Sequence, residues 1–481
     1  MNKQDGVVAP AAMGKAEIRV IMIGLMVAMF PGALDSTIIG PAMPTIGREL
    51  GDVGNLPWIV TAYLLVATAA TPLYGKLSDI HGRRVMLLTA IGLFAIGSVL
   101  CALAPTMIML AIARAVQALG GGGLVSLAMT VIGDVVAPKE RPRYQVYTSV
   151  MWTTASLLGP VLGGYFAELW HWTLIFWINL PLCLVAYILT DSKLKRLPRH
   201  ERPHKLDIAG AFLLVVASGL VQLTLSWGGS HYAWSSPQIL SLGAASAVFV
   251  ALFIWRLARA AEPLIPYRLL SNQIVLTGAS SVGLTMAVFV ALTVYTPIYF
   301  ENVRGLSASQ SGLALLPLMV CSTIGALAAG RVMVHLRRYK FVALTGLALA
   351  SAALLPIFFF PHDLSLTTIE ILLAIVSIGV GAVFPTTTVS IQNSVARHDL
   401  GTATGLITFM RNLGAAAGVA IFGATLGVID LGARAEAGSN ALADTFRWMF
   451  LIGAVGLLFA LVILTFMEER ALSSGKSGAL G

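Results

Sequence analysis

Gly75-Lys76-Leu77-Ser78-Asp79-Ile80-His81-Gly82-Arg83-Arg84 stands between two long apolar runs, a dense island of charge and glycine. Each flanking run approaches 20 residues, enough for a helix to cross a hydrocarbon core of roughly 30 Å. Farther along, Gly159-Pro160-Val161-Leu162-Gly163-Gly164 sets a helix breaker and paired glycines inside another apolar run. Neither feature serves a span whose only task is to stay put. Together they point to a helix bundle that changes shape.

Composition agrees. The 481 residues are 57% hydrophobic and only 11% charged, with mean hydropathy +0.85, whereas soluble domains carry about 25% charge. The chain reads as an all-α integral membrane protein. Apolar runs suggest fourteen spans, near 18–43, 55–74, 84–103, 106–133, 144–168, 173–191, 207–227, 238–257, 273–300, 308–331, 341–361, 366–392, 403–429 and 447–467. The polar stretch Met1 to Glu17 leads into a first run without a small-residue cleavage site, so that run reads as a retained helix. With the N-terminus inside, about 25 of the 31 Lys and Arg fall in cytoplasmic segments and about four outside, the positive-inside asymmetry. The net charge of +9 therefore sets topology and calls for no nucleic acid. Lys193, Lys195, Arg196, Arg199, Arg202 and Lys205 form the densest basic cluster, suited to anionic lipid. Cys101, Cys183 and Cys321 lie far apart in apolar runs and offer neither a disulfide framework nor metal spacing.

The spans divide as six, two and six. Residues 1–17 form a cytoplasmic N-terminus, 18–191 a first six-helix bundle and 192–206 a basic cytoplasmic loop. Residues 207–257 form two inserted helices, 258–272 a linker, 273–467 a second six-helix bundle and 468–481 a tail, with both termini cytoplasmic. Duplicated halves leave similar motifs at equivalent places. Gly330-Arg331 with Arg337, Arg338 and Lys340 stands where Gly75-Lys76 stands with Arg83 and Arg84, although Val334 replaces Asp79.

Gly75-x-Leu77-x-Asp79-x-x-Gly82-Arg83-Arg84 resembles the loop signature between helices two and three of the major facilitator superfamily. Arg114-x-x-Gln117 with Gly120 to Gly123 resembles its helix-four motif, and Gly159-Pro160-x-x-Gly163-Gly164 the helix-five motif of its antiporters. Leu34-Asp35-Ser36-Thr37-Ile38 is similar to the helix-one motif of the fourteen-helix drug:proton antiporters. Trp170-x-Trp172 and Phe176-x-Ile178-Asn179-Leu180-Pro181 match that branch as well. The resemblance runs through the whole chain in order. It implies a multidrug efflux transporter driven by the proton gradient, without cofactor, in a bacterial inner membrane.

An ionisable group within a span costs at least about 2.5–3.5 kcal/mol, which makes it a functional candidate. Asp35 and Arg114 each fall roughly 12–14 Å from the outer ends of their helices, so they share a depth and are placed to meet across a cavity. Desolvation raises a carboxylate's pKa and a guanidinium lowers it, so a site alternating between the two can take a proton outside and release it inside. The resemblance implies that role for Asp35 and Arg114; the alternative is a static ion pair that fixes helix register. Gln117, one turn from Arg114, is a partner of the pair or helix glue. Asp79 can face the positive N-terminal end of a helix in the opposite half, and Arg83 and Arg84 can pair with Asp134. The resemblance implies a latch of Gly75, Asp79, Gly82, Arg83, Arg84 and Asp134 that closes the cytoplasmic side. Pro160 is expected to bend helix five, with Gly159, Gly163 and Gly164 packing closely on helix ten.

Arg411, with Asn412, Gly414 and Gly418, suits a gate or a pairing more than substrate contact. Cavity candidates are Trp58, Tyr63, Met151, Trp152, Tyr295, Tyr299, Phe384 and Met410, whose aromatic and polarizable surfaces suit adaptable binding. Glu301 joins them as an entry-side contact or a solvated helix end. A monocation, a neutral lipophile and an anion are all compatible with this set. Without a Gly-x-x-x-x-Gly-Lys-Ser/Thr loop the chain is no ATP-driven pump, and no catalytic or metal constellation suggests an enzyme. The expected partners are a small-molecule substrate, protons and membrane lipids, with the protein a monomer and any periplasmic adaptor unknown. A dedicated proton-linked exporter of one metabolite, siderophore or lipid is the competing reading.

Overall fold

The computed structural model describes residues 15–51, 55–56, 58–196, 207–229, 232–260, 262–336, 338–427 and 439–470. Its main helices in the first half are α1 (Lys15–Leu50), α2 (Trp58–His81), α3 (Arg83–Ala102), α4 (Met107–Val135), α5 (Arg141–Leu169) and α6 (Asn179–Lys193). Two helices follow, α7 (Ile208–Trp227) and α8 (Pro237–Arg259). The second half holds α9 (Gln273–Arg304), α10 (Leu316–His335), α11 (Lys340–Phe359), α12 (Leu366–Ser394), α13 (Leu400–Gly427) and α14 (Ser439–Thr465). Among the described residues, 13 helices are long and apolar enough to cross a membrane. The exception among the fourteen is α5, long enough at 29 residues but diluted by Arg141, Arg143, Gln145, Thr148, Thr153, Thr154 and Glu168.

Two spans expected to be continuous are broken. The sixth begins as a single turn, Leu174–Trp177, before α6, because Pro181 offers no N–H to the carbonyl of Trp177. The tenth splits into Ala308–Ala314 and α10, with Pro317 just past the break. The short piece is held by a capping box in which Ser307 and Gln310 exchange side-chain and backbone bonds.

Each half buries its own apolar core. One runs from Ile21 to Leu194, the other from Leu214 to Met467, most of it between Leu264 and Met467. The inserted pair leans on the first half: Gln222 of α7 donates to Thr68 of α2 at 3.1 Å, and Trp58 meets Trp227 edge-on at 5.5 Å. Asp207 caps α7 through Gly210 N–H and holds Arg256 of α8 at 3.0 Å, which ties the hairpin. Leu240, Val248, Leu252, Ile254 and Trp255 leave much of α8 exposed and apolar, as a lipid-facing helix requires.

Alternation of the helices puts Arg83, Arg84, Arg256 and Arg268 at one end of the bundle, here called the basic end. Lys195 joins them there, 3.1 Å from Asp191. Of the basic cluster, Arg199, Arg202 and Lys205 lie outside the described residues, as do the side chains of Lys193 and Arg196. So do Arg337 and most of the expected terminal segments.

Candidate functional site

Asp35 and Arg114 meet, but not across a cavity. They lie inside the first bundle, 0% and 2% exposed, with the guanidinium Nη1 2.6 Å from Asp35 Oδ2. Gln117 Nε2 donates to the other carboxylate oxygen at 3.0 Å, and Asn179 Nδ2 approaches it at 3.5 Å. Arg114 has further acceptors in Gln117 Oε1 at 2.6 Å and the Ile59 carbonyl at 3.2 Å. Its cation lies over the Tyr63 ring, 4.2 Å from the centroid. Ser98 of α3 closes the network by accepting from Gln117 at 2.9 Å and Asn179 at 3.4 Å. Donors from α4 and α6 thus surround one carboxylate of α1, and α3 anchors two of them through Ser98.

The local sequence explains this placement. On α1, Thr37 donates to the Ala155 carbonyl of α5 at 2.9 Å, which turns Asp35 to the opposite side, toward α4. On α4, Arg114 and Gln117 are three apart and so share a face. Gly97 admits that face: a Cβ there would lie 2.3 Å from Gln117 Cα. The sequence reading missed Asn179 as a partner of Asp35 and Ser98 as the acceptor behind Gln117 and Asn179. A signal existed in Asn179, an amide at the head of an apolar helix that is costly unless hydrogen-bonded.

The basic end holds a second constellation. The Asp79 carboxylate accepts from Gly401 N–H at 3.1 Å, Thr402 N–H at 2.9 Å and Thr402 Oγ1 at 2.8 Å. It therefore sits on the N-terminus of α13, in the opposite half, where unpaired N–H groups and the helix dipole favour an anion. Arg83 joins Asp79 at 2.5 Å and Asp134 of α4 at 2.8 Å. The backbones almost touch beside this cluster, since a Cβ on Gly75 would stand 2.6 Å from the Gly401 carbonyl oxygen. Gly82, at φ +89°, caps α3 in a conformation that side chains other than glycine's resist. Arg84 corrects the expectation: it pairs with Asp191 at the end of α6, not with Asp134, because Arg83 already occupies Asp134.

Gln392 of α12 donates to the Met129 carbonyl of α4 at 3.2 Å, and Thr153 of α5 bonds Thr323 of α10. Gly330 lies against the Pro142 carbonyl of α5, the counterpart of Gly75 against α13. Val334 stands there where Asp79 stands in the first clasp, and among the described residues no carboxylate is bonded across the second.

The glycines of α5 pack on α1, which corrects the expected contact with the tenth span. A Cβ would fall 2.0 Å from Thr37 Oγ1 at Gly159 and 2.0 Å from the Ile38 carbonyl oxygen at Gly163, whereas Gly164 has room. α5 does reach α10, but through Thr153 and Pro142. Pro160 stands on an exposed side of a helix that continues past it. Gly163→Leu should therefore overpack the α1–α5 seam by about 3 kcal/mol or more. A thermal-unfolding scan in detergent checks this, and Gly164→Ala should leave the midpoint nearly unchanged.

The aromatic candidates separate. Trp58 belongs to the contact with α7, and Tyr63 to the Arg114 network. Tyr299 is 1% exposed and packs against Phe446 and Phe450 in the second core, so it is no cavity residue. Tyr295 stacks on Phe422 and donates its hydroxyl to the Val419 carbonyl at 2.9 Å. Met151 is buried, and Trp152 is half-buried with an indole N–H that finds no acceptor among the described residues. Glu301 is exposed in the last turn of α9. Arg411 lies over the Phe384 ring, 4.8 Å from its centroid. Its neighbour Met410 packs by Gly283 of α9. The pairing expected of Arg411 is absent among the described residues.

Residues 25–419 match a family profile described as Major Facilitator Superfamily. The multidrug transporter protein MdtP of Bacillus subtilis (strain 168) is 35% identical over 416 residues, covering 86% of this chain and 76% of that protein. Multidrug resistance protein 3 of the same strain is 31% identical over 437 residues, covering 90% and 83%. Efflux pump FUS6 of Gibberella fujikuroi is 35% identical over 419 residues, covering 84% and 74%. Among solved structures, a bacterial homologue of the iron transporter ferroportin superimposes with a TM-score of 0.66 at 12% identity, covering 94% of this chain and 100% of that one. The proton:xylose symporter XylE gives 0.62 at 15% identity, covering 96% and 98%. These two likenesses concern the fold alone.

Proposed function

The chain belongs to the Major Facilitator Superfamily, and from that premise we propose that it is a proton-coupled antiporter exporting hydrophobic or amphiphilic small molecules by alternating access. Its setting is a bacterial cytoplasmic membrane, with the basic end toward the cytoplasm. It works as a monomer, and the proton gradient supplies the driving force. The relatives named as multidrug transporters and efflux pumps support the export of foreign compounds.

One observation carries the proton coupling. A sealed carboxylate–guanidinium pair and one pole of the basic-end latch lie on the same rigid helix. Arg114 and Asp134 are both on α4, about 30 Å apart along its axis. While Asp35 is ionised it only accepts, and Arg114, Gln117 and Asn179 are all donors to it. A proton arriving at Asp35 cancels the attraction and turns one oxygen into a donor. Arg114 then keeps Gln117 Oε1 and the Ile59 carbonyl, so it stays partnered while α1 and α4 shift. That shift carries Asp134 away from Arg83 and loosens Asp79 on α13, so the basic end opens.

The test uses protein in proteoliposomes loaded with an amphiphilic dye. An imposed pH gradient should drive dye flux, and a protonophore should abolish it. Flux indifferent to both would refute proton coupling.

A further inference from the structure

We propose that Arg411 is the anchor for an anionic head group, so that the preferred cargo is an amphiphile carrying a carboxylate or similar oxyanion on an apolar, aromatic body. This rests on the transport reading above and names its substrate class.

Arg411 lies about 17 Å along α13 from the basic end, and it is partly exposed within a membrane span. A charge at such depth needs a partner. Among the described residues, Asp35 and Arg114, also deep within the bundle, neutralise each other in a closed network. Arg411 is left with no ion pair and no hydrogen bond among the described residues.

Its surroundings are internal, not lipid. Seven residues earlier on the same face, Thr404 accepts from Gln392 of α12 at 3.4 Å. Seven residues later, Gly418 presses on the Ala287 carbonyl of α9. Arg411 therefore projects between α9 and α12 inside the second bundle, and Phe384 of α12 takes its cation at 4.8 Å. It is also level with the Thr153–Thr323 bond between the halves, which lies about 18 Å along α5.

The chemistry of that arrangement selects an anion. A guanidinium resting on an aromatic face keeps its edge N–H fork free, and the fork matches a carboxylate. The guanidinium only donates. A cationic cargo would meet an uncompensated positive charge here, whereas an oxyanion supplies the missing acceptor. Phe384 and Met410 offer an adaptable apolar surface for the body.

Equilibrium binding decides this inference separately from flux. The probes are dansyl-undecanoate and its methyl ester, titrated into purified full-length protein in zwitterionic nanodiscs. Wild type should bind the carboxylate roughly tenfold or more tightly than the ester. Arg411→Gln should bring the two affinities together while ester binding persists, which shows that the variant is folded. Arg411→Lys should keep part of the preference. Equal binding by wild type, or a preference that survives Arg411→Gln, would overturn the proposal. Repeating the titration in nanodiscs with an anionic lipid separates two sources of oxyanion. An unchanged preference assigns the site to a free amphiphile, and a lost one assigns it to a lipid phosphate and refutes the cargo assignment. Dye flux without response to a pH gradient would strike the antiport reading and leave this binding result intact.

Discussion

Asp35→Asn is expected to abolish flux driven by a pH gradient, by at least about a hundredfold, equivalent to about 2.7 kcal/mol, while downhill exchange of substrate continues. The side chain keeps one oxygen to accept from Arg114 Nη1 but can no longer titrate. The variant also leaves a cation buried without its counter-charge. Removing one partner of a buried pair costs about 3–5 kcal/mol, and the remaining amide oxygen should hold the loss to the lower end of that range. A second variant separates stability from coupling. Asp35→Asn with Arg114→Gln removes both charges, and should recover much of the thermal stability without regaining any gradient-driven flux. Everted vesicles measure the flux and a detergent unfolding scan the stability. Full antiport by Asp35→Asn would reduce the pair to a device for helix register.

Asp79→Asn should open the basic end. The amide can still accept from Gly401 or Thr402 but brings no charge to the α13 N-terminus, an interaction that reaches about 2 kcal/mol in partly buried sites. It also weakens the hold of Arg83. A loss near 2 kcal/mol shifts a two-state equilibrium roughly thirtyfold. Thr404→Cys is a suitable reporter because Thr404 is 1% exposed beside Gln392 in the closed form. Cys321, the one native thiol that is partly exposed, is first replaced by serine. The Asp79→Asn background should raise the rate of labelling by a water-soluble maleimide, while substrate affinity changes little. An unchanged rate would show that Asp79 does not set the resting state.

Much of the fold and of the site is legible in the sequence, and the rest is hidden for physical reasons. Composition and run length were sufficient for an all-helical membrane fold, because a lipid core demands about 20 apolar residues per span and leaves the chain few alternatives. Asp35 and Arg114 stood out because charge in such a run is costly, and equal depth brought them together. Their seclusion within one bundle did not follow from depth, which fixes height but not the direction in which a helix turns. The structure supplies that direction through Thr37, bonded to α5 on the far side of α1. Asp79 on a helix N-terminus of the other half was foreseeable from loop length and charge, though Gly401 and Thr402 were not identified as its donors. Arg84 was misassigned because Asp134 and Asp191 both end helices at the same face. Only packing decides which arginine reaches which acid. The α5 glycines likewise announced a close approach without naming the neighbour. Tyr299 shows the same limit, since an aromatic in a span looks alike whether it faces a cavity or fills a core.

The most direct test of the central claim is proton release on substrate binding, followed with a pH indicator in weakly buffered detergent solution. A carboxyl group that exchanges its proton for cargo predicts a saturable release by wild type that tracks binding and vanishes in Asp35→Asn, with binding itself retained. Release of equal size from Asp35→Asn, or none from wild type at saturating substrate, would contradict the account.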